Sequence, residues 1–279
     1  MPELPEVQAH VERLTDRYAG AELVSFKPFN FTALKTAVPS PSLGYGQVLG
    51  SVQRRGKYLM LDFGELTFVV HLMQGGRLRE EPKQTAKPRN GQARWMLADG
   101  RALLLTEAGK ERKAGVWCTL TKGRLTSAPL DRVGPEALSL SVEELAAQFA
   151  AHNMRIHGFL RDQKCIAGLG RLLANEICHR AKLSPFAMTG KLGLTGAAKV
   201  HAAIHDCIDE GLAFERAQDS MSSSAERPAA MHNRTGEPCP VCADVVRSVT
   251  YSGYTVNYCA TCQTGGKPLA NNTTSKFLK

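Results

Sequence analysis

The sequence contains no long hydrophobic run, and none approaches the roughly 18 apolar residues that a transmembrane helix needs. It also lacks the basic and then apolar start of a signal peptide, because Glu3, Glu6 and Glu12 stand near its beginning. No internal repeat or long low-complexity tract is visible. These absences argue against a membrane protein and a repeat architecture. We expect a cytoplasmic chain with reduced cysteines and no membrane partner.

Acidic residues are fewer than basic residues: 26 Asp and Glu stand against 35 Lys and Arg, which gives a net charge of +9. The resulting pI near 9.2 favours a polyanionic partner such as nucleic acid. The 279 residues, 43% of them hydrophobic, can form two domains with real cores and a small appended module.

The chain begins with MPELPEV, which places a proline directly after Met1. If Met1 is removed, Pro2 carries a secondary amine whose reference pKa is roughly 8. The neutral fraction of such an amine can attack an electrophilic carbon and form an iminium ion. The alternative is that Pro2 only stiffens the chain and Glu3 is a solvated charge. These seven residues alone do not decide between the two interpretations.

Four of the eight cysteines form two CxxC pairs, Cys239 with Cys242 and Cys259 with Cys262, separated by sixteen residues. This spacing predicts one zinc ion held by four thiolates. Because all four ligands are cysteines, no coordination position is open and the metal is structural. The alternating residues between the pairs predict a β-hairpin around Ser252-Gly253. The other four are interpreted as small buried hydrophobic residues: Cys118, Cys165, Cys178 and Cys207.

The sequence pattern divides the chain into a β-rich part and a helical part. Residues 3–18 have helical spacing, and residues 22–120 alternate as strands do, including three strands predicted over 48–78 and a hairpin at Asp99-Gly100. Residues 141–217 are predicted to be largely helical, and Ser141 with Glu144 predicts a capping box. Residues 218–238 are polar and rich in Pro and Ser, as a linker is.

We therefore expect an α+β multidomain fold. Its parts are an N-terminal antiparallel β-sandwich with an N-terminal helix, a helical domain, and a C-terminal zinc-finger β-hairpin. The expected boundaries are residues 1–125, 126–225 and 233–270.

The motifs, in this order, resemble the formamidopyrimidine-DNA glycosylase / endonuclease VIII family of base-excision repair enzymes. They are PELPEV, SVQRRGKYLML, VGPEAL, IAGLGRLLANEI and the four-cysteine finger. The resemblance covers nearly the whole chain. It implies a β-sandwich catalytic domain, a helix–two-turn–helix domain and a zinc finger that together bind damaged double-stranded DNA.

The resemblance also implies residue roles at the start of the chain. Pro2 matches the amine that attacks C1′ of a damaged nucleotide and forms a Schiff base with the sugar. Glu3 matches the carboxylate that moves protons, and Glu6 matches a residue that supports the site. Lys57, in RRGKYL, matches a lysine that holds the phosphate next to the lesion; an ordinary exposed turn lysine is the alternative.

In the helix–two-turn–helix motif, Gly168 and Gly170 allow backbone amides to approach a phosphate at a helix N-terminus. The sequence departs from the family at the next position, where Arg171 replaces the usual Asn. The zinc-finger hairpin has Tyr254 where the family usually has an arginine, so one cationic contact to DNA is lost. Lys267 and Arg247 are candidates to compensate for it.

Two further departures affect the residues that fill the space left by a flipped base. The family's methionine in HLxMxG is replaced by Gln74, with Met73 one step earlier on what we expect to be the opposite face of a strand. The second loop has Lys113-Ala114 in place of Arg-Phe, and alanine cannot insert between bases. Lys110 and Arg112 are other candidates in this loop. His71 fits either a DNA-facing or a structural role.

We expect a bifunctional DNA glycosylase and abasic-site lyase that acts as a monomer. The polar residues 217–229 suit a flexible cap over the lesion, and the preferred base is open. Two other classes of function were weighed: a non-catalytic damaged-DNA-binding or scaffold protein, and a zinc-ribbon protein that binds RNA or a protein. The second explains the cysteines and the charge but leaves the N-terminal motif unexplained.

Overall fold

The computed structural model describes residues 1–109, 111–223, 226–251 and 253–270. The chain divides into two compact units: Met1–Val133 with Glu215–Ser222, and Gly134–Phe214 with Ser223–Lys279. Among the described residues, no helix combines the length and the hydrophobicity needed to span a membrane.

The first unit is a β-sandwich preceded by one helix. Its helix and strands are α1 (Leu4–Tyr18), β1 (Leu23–Pro28), β2 (Leu49–Arg55), β3 (Tyr58–Phe63), β4 (Leu66–His71), β5 (Gly76–Glu80), β6 (Gly91–Leu97), β7 (Ala102–Glu107) and β8 (Gly115–Leu120). One four-stranded sheet has the order β1-β6-β7-β5 and the other β2-β3-β4-β8. All pairings within them are antiparallel, as the sequence predicts.

The core between the sheets is built from inward-facing aromatic and branched side chains. The rings of Phe26, Phe68 and Trp95 lie 4.9 to 5.7 Å apart between centroids. Helix α1 adds Val7, Val11, Leu14 and Tyr18 to this cluster, at the spacing that places them on one helix face. The predicted N-terminal helix is thereby confirmed.

Strand β4 is buried along its whole length, which simple alternation does not predict. Its outer face is covered because Val69 packs with Met60 and with Leu130, from the segment that follows β8. The prediction of three strands over residues 48–78 is wrong, since β2, β3, β4 and the first part of β5 lie there. The predicted hairpin at Asp99-Gly100 is confirmed as the β6–β7 turn.

The second unit combines helices with a small hairpin. Its elements are α2 (Val142–Ala151), α3 (Ile156–Phe159), α4 (Arg171–Arg180), most of α5 (Gly193–Arg216), β9 (Val246–Tyr251), β10 (Tyr254–Cys259) and α6 (Ala260–Thr264). The capping box of α2 is present, because the Glu144 amide donates to Ser141 Oγ and the Ser141 amide donates to Glu144 Oε2. The hairpin pairs Tyr254 with Tyr251, as predicted, although Ser252 lies outside the described residues.

The segment after α5 differs from the predicted linker. Met221 is buried in the sandwich core, and Ser222 is buried as well, with its amide 3.3 Å from Glu215 Oε2. The polar stretch 217–229 is therefore packed in its first half, where we predicted a flexible cap. Residues 224–225 lie outside the described part.

Candidate active site and nucleic-acid interface

The first turn of α1 carries the residues of the N-terminal motif. Pro2, Glu3 and Glu6 are all buried. Glu3 is the N-cap residue of the helix, and its amide donates to Glu6 Oε2 at 2.9 Å, in a capping box. The first turn of α1 therefore positions the carboxylates of Glu3 and Glu6, which follow Pro2 closely in the sequence.

Lys57 lies in the turn between β2 and β3 and is only 6% exposed. Gly56 precedes it with φ of 55°, in the left-handed region that glycine adopts without strain. The interpretation of Lys57 as an ordinary exposed turn lysine is therefore wrong.

His71 ends β4 directly opposite Tyr58, whose ring is 4.6 Å away between centroids. Its Nδ1 accepts a hydrogen bond from the Met73 amide at 3.0 Å. Burial, and to a smaller extent the charges of Lys57 and of the chain's amino terminus, together lower the pKa of His71 to about 4. The imidazole is consequently neutral at pH 7. It lies close enough to the amino terminus and to Lys57 for their charges to affect its pKa.

The lowered pKa of His71 makes the stability of the protein depend on pH. Because the unfolded chain binds this proton near pH 6.5 and the folded chain only near pH 4, stability falls as pH falls through that window. From pH 7 to pH 5 we expect His71 to account for a loss of about 2 kcal/mol in unfolding free energy. Urea unfolding at pH 7 and at pH 5 measures this loss of unfolding free energy.

The matched variant is His71→Asn, whose side-chain oxygen can accept the Met73 amide in place of Nδ1. The variant should lose correspondingly less stability between pH 7 and pH 5 than the parent chain. If the parent chain and His71→Asn lost the same unfolding free energy between pH 7 and pH 5, His71 would already be solvated in the folded state.

The two loops that carry the candidate space-filling residues approach each other closely. A Cβ on Gly75 would lie 2.7 Å from Ala108 O, so only glycine fits there. Gln74 is exposed in this first loop. The expectation that Met73 and Gln74 point to opposite faces of a strand is wrong, because the strand ends at His71 and Met73 has φ of 51° in a turn.

In the second loop, Lys113 is exposed and forms an ion pair with Glu111 at 2.6 Å. Ala114 is buried, and its amide donates to Glu107 Oε2 at 2.6 Å. This position therefore faces the core and is not available to enter DNA. Arg112 is exposed, and Lys110 lies outside the described residues.

The turn before α4 is held by one side chain that the sequence analysis did not identify. Gln163 accepts from the Gly168 amide at 3.0 Å and donates to Leu169 O at 2.8 Å. Gly168 has φ of 94°, and Gly170 is the N-cap residue of α4. Arg171 is exposed at the first helical position and makes no ion pair with any described residue. This arrangement presents backbone amides and one cation at a helix N-terminus.

The four cysteines of the two CxxC pairs meet as predicted, with their sulfur atoms within 4.8 Å of one another. Two of the Sγ–Sγ distances are 3.4 Å and 3.9 Å. A tetrahedral site with Zn–S bonds of about 2.3 Å requires sulfur atoms about 3.8 Å apart, so this donor set fits zinc. His179 Nε2 lies 3.3 Å from Cys239 Sγ and can support that ligand. The other four cysteines are buried, as predicted.

Tyr254, which stands where a DNA-binding arginine was expected, holds another arginine instead. The guanidinium of Arg161 lies 3.5 Å from the centre of the Tyr254 ring. Arg247 is paired with Asp244 at 2.8 Å, whereas Lys267 is exposed. The sequence showed that Tyr254 replaces a positively charged residue. It did not predict that Arg161, which is distant along the chain, packs on the Tyr254 ring.

Comparison with protein families decides which group of proteins this architecture represents. The model of the formamidopyrimidine-DNA glycosylase N-terminal domain matches residues 1–116. The model of the formamidopyrimidine-DNA glycosylase H2TH domain matches residues 133–223. The chain belongs to the formamidopyrimidine-DNA glycosylase family. The first match contains the buried residues around Pro2 and Lys57, and the second contains the turn before α4.

Individual relatives agree with this family. A formamidopyrimidine-DNA glycosylase of Desulforamulus reducens is 29% identical over 94% of this chain and 99% of its own length. An uncharacterised formamidopyrimidine-DNA glycosylase-like protein of Mycobacterium tuberculosis is 40% identical over 53% of this chain and 94% of its own length.

Solved structures of the family share the fold. A Lactococcus lactis FPG mutant in complex with Fapy-dG-containing DNA has a TM-score of 0.84 at 21% identity, covering 94% of this chain and all of that one. MutM in complex with DNA that contains carbocyclic 8-oxo-G has a TM-score of 0.83 at 20% identity, with the same coverage.

Proposed function

We propose that this member of the formamidopyrimidine-DNA glycosylase family is a base-excision repair DNA glycosylase with abasic-site lyase activity. The observation that carries the proposal is the buried set of polar groups at the start of α1. Burial lowers the pKa of His71, and the charges of the nearby Lys57 and amino terminus contribute, so that the pKa is about 4. Burying several charged groups together is costly for stability, which supports a chemical role for them.

The proposed reaction begins when removal of Met1 frees the Pro2 amine. The amine nitrogen forms a bond to C1′ of the damaged nucleotide, the bond from C1′ to the base breaks, and the base leaves with a proton. The sugar ring opens to give an iminium between Pro2 and C1′. Glu3 then moves the proton from C2′, and the 3′ phosphate leaves by β-elimination, with δ-elimination releasing the 5′ phosphate afterwards. Water finally hydrolyses the imine and restores Pro2.

The other residues of the first unit position the substrate for this step. Lys57 supplies a charge for the phosphate next to the lesion, and Glu6 supports Glu3 through the capping box. His71 is neutral and offers an Nε2–H group, because its Nδ1 already accepts from Met73. The nucleotide must leave the stack to be reached, at a cost of a few kcal/mol, which phosphate contacts offset. Gln74 and Lys113, both exposed, are our candidates to contact the DNA at the gap.

The second unit supplies further contacts to the phosphate backbone in this proposal. The amides near Gly168 and Gly170 and the cation of Arg171 bind one phosphate. Lys267 and the arginine held on Tyr254 add positive charge on the side of the zinc finger. The four cysteines would hold one zinc ion that fixes the fold of this module and takes no part in the reaction.

Arg161 gives a direct test of the compensation for the missing finger arginine. We expect Arg161→Ala to weaken binding to duplex DNA at all sequences and to reduce the slope of log K against log salt by about 1. Tyr254→Phe should change little, because the ring that carries the guanidinium is kept. Fluorescence anisotropy at several salt concentrations measures both. An Arg161→Ala salt slope equal to that of the parent chain would remove Arg161 from the interface.

The remaining features of the proposal concern the setting in which the chain acts. The net charge of +9 supports damaged double-stranded DNA as the partner. The proposed chemistry needs no residue from a second copy of the chain, which supports a monomer. A four-thiolate site needs reduced cysteines, which supports a cytoplasmic location. We propose residues 1–125, 126–225 and 233–270 as the working domains, supported by the family matches to residues 1–116 and 133–223.

A non-catalytic damaged-DNA-binding protein is the second candidate, favoured by the altered residues at the two insertion positions: Gln74 stands where the family has methionine, and Ala114 is buried. Borohydride trapping of the Met1-processed chain on short duplexes separates the two. Each duplex carries one oxidised base, one formamidopyrimidine or one abasic site. A covalent band supports the enzyme, and the lesion that traps fastest identifies the substrate. Tight binding without any covalent band would support the second candidate.

A further inference from the structure

A pit in the first unit has no part in the proposed reaction. It has a volume of about 340 Å³ and is formed by the second half of α1, strand β5 and residues 219–221. His10 opens onto it two turns after Pro2, which is about 12 Å along a helix that rises 1.5 Å per residue. The pit is therefore separate from the buried groups at the start of α1, and its volume lies in the range of small-molecule sites.

The rim of the pit is cationic. Arg17 and Arg79 are exposed there and Arg77 is half-buried. Within the described ranges none of these three arginines forms an ion pair. The rim also contains Glu80 and Asp219, so arginines outnumber carboxylates. Unpaired guanidinium groups at the mouth of a concave site are well suited to bind a phosphate.

The interior of the pit is apolar apart from the polar groups of His10, Arg13 and Tyr18. Leu14, Leu78 and Met221 are buried and form its walls. His10 is only 9% exposed, and neither of its ring nitrogens has a hydrogen-bond partner of normal geometry in the part of the chain that the structure describes. Arg13 Nε and Nη2 likewise have no hydrogen-bond partner among the described residues, although Nη2 lies 4.0 Å from Glu215 Oε2 in an ion pair and Nη1 donates to Glu215 O at 2.9 Å. Unsatisfied buried polar groups are rare and require an explanation.

His10 is neutral in this setting. Burial and the charge of Arg13 lower its pKa, the backbone of Leu78 partly opposes the shift, and the resulting pKa is about 4. A neutral imidazole offers one N–H donor and one acceptor nitrogen. A ligand edge with a donor or an acceptor, such as that of a nucleobase, can satisfy the ring nitrogen that faces the pit.

We propose that this pit binds a small phosphate monoester that carries a planar, partly apolar group, such as a nucleoside monophosphate. The phosphate contacts Arg17 and Arg77 at the rim. The planar group lies between Leu14, Leu78 and Met221 and hydrogen-bonds to His10.

The test uses the full zinc-loaded chain and isothermal titration with adenosine 5′-monophosphate, adenosine and inorganic phosphate. The expected result is that the monophosphate binds at least tenfold more tightly than either of its parts. Arg17→Glu, an exposed and unpaired position, should weaken that binding at least tenfold. Arg132→Glu makes the same change of charge at an arginine that lies outside the pit and whose side chain is 81% exposed; this matched control should bind as the parent chain does.

His10→Leu separates a ligand-binding role from a structural one. Because it replaces unsatisfied buried nitrogens with an apolar group, it should raise the unfolding midpoint while weakening binding of the monophosphate. Loss of stability together with unchanged binding would overturn the proposal. So would the absence of binding at millimolar monophosphate, equal binding of inorganic phosphate, or equal affinity of the Arg17→Glu and Arg132→Glu variants. Borohydride trapping is independent of these outcomes, so the failure of one proposal is distinguishable from the failure of the other.

Discussion

Keeping one extra residue in front of Pro2 is expected to lower borohydride trapping on an abasic duplex by roughly 10³-fold or more. The extension converts the reactive amine into an amide, which cannot form an iminium. Glu3, Glu6 and Lys57 are unchanged in such a chain, so the loss isolates the nucleophile. Gel electrophoresis of the reduced protein–DNA complex measures the trapped fraction against time.

The matched control carries the same extra residue at the carboxyl terminus and should trap at the parental rate. Pro2→Gly is informative beside it, because a processed chain keeps a primary amine at the same place and should trap more weakly without losing all activity. Affinity for the abasic duplex, measured without borohydride, should change little in the extended chain. Undiminished trapping by the extended chain would show that another amine is the nucleophile.

Loss of the metal is expected to produce the largest structural effect. Cys259→Ala removes one ligand of the four-sulfur cluster, at a position with no exposed surface. Structural zinc supplies on the order of 10 kcal/mol of folding free energy to a small module, which has little core of its own. We therefore expect residues 233–270 to become sensitive to protease and binding to duplex DNA to weaken strongly. Native mass spectrometry and peptide mapping after brief digestion measure zinc content and the cleavage sites.

Cys165→Ala is the control for this experiment, because Cys165 is also buried but lies outside the cluster. It should keep one zinc ion and the parental cleavage pattern. A chelator added to the parent chain should reproduce the Cys259→Ala pattern. If Cys259→Ala retained one equivalent of zinc and a protected hairpin, the four-thiolate assignment would be wrong.

The sequence predicts those parts of the fold that local patterns control. The spacing of Val7, Val11 and Leu14 predicted α1, and alternation with glycine turns predicted an antiparallel sandwich. The cysteine spacing predicted the sulfur cluster because thiolates three residues apart can share one ion. The resemblance to known glycosylases made Pro2, Glu3 and Lys57 candidate site residues; the structure places all three in buried positions, and their roles stay predictions.

Features that depend on distant parts of the chain were not predictable in this way. Alternation could not show that Leu130 covers the outer face of β4, or that the strand stops at His71 before the motif HLMQGG is complete. The contact of Arg161 with Tyr254 joins two elements whose proximity only the folded unit determines. Gln163 was missed for the same reason, since a glutamine in a loop carries no distinctive pattern.

The return of residues 215–222 to the first unit has a consequence for synthesis on the ribosome. Met221 completes the sandwich core, Arg216 forms two hydrogen bonds with Glu12 at 2.8 and 2.9 Å, and the Arg13 side chain donates to Glu215 O. A nascent chain that ends before residue 215 therefore lacks all of these contacts even after every strand of the sandwich has emerged, and Met221 is the last of them to be added. Domains generally fold as units during synthesis. The N-terminal unit of this protein reaches its final packing only after the helical segment between its two parts has been translated.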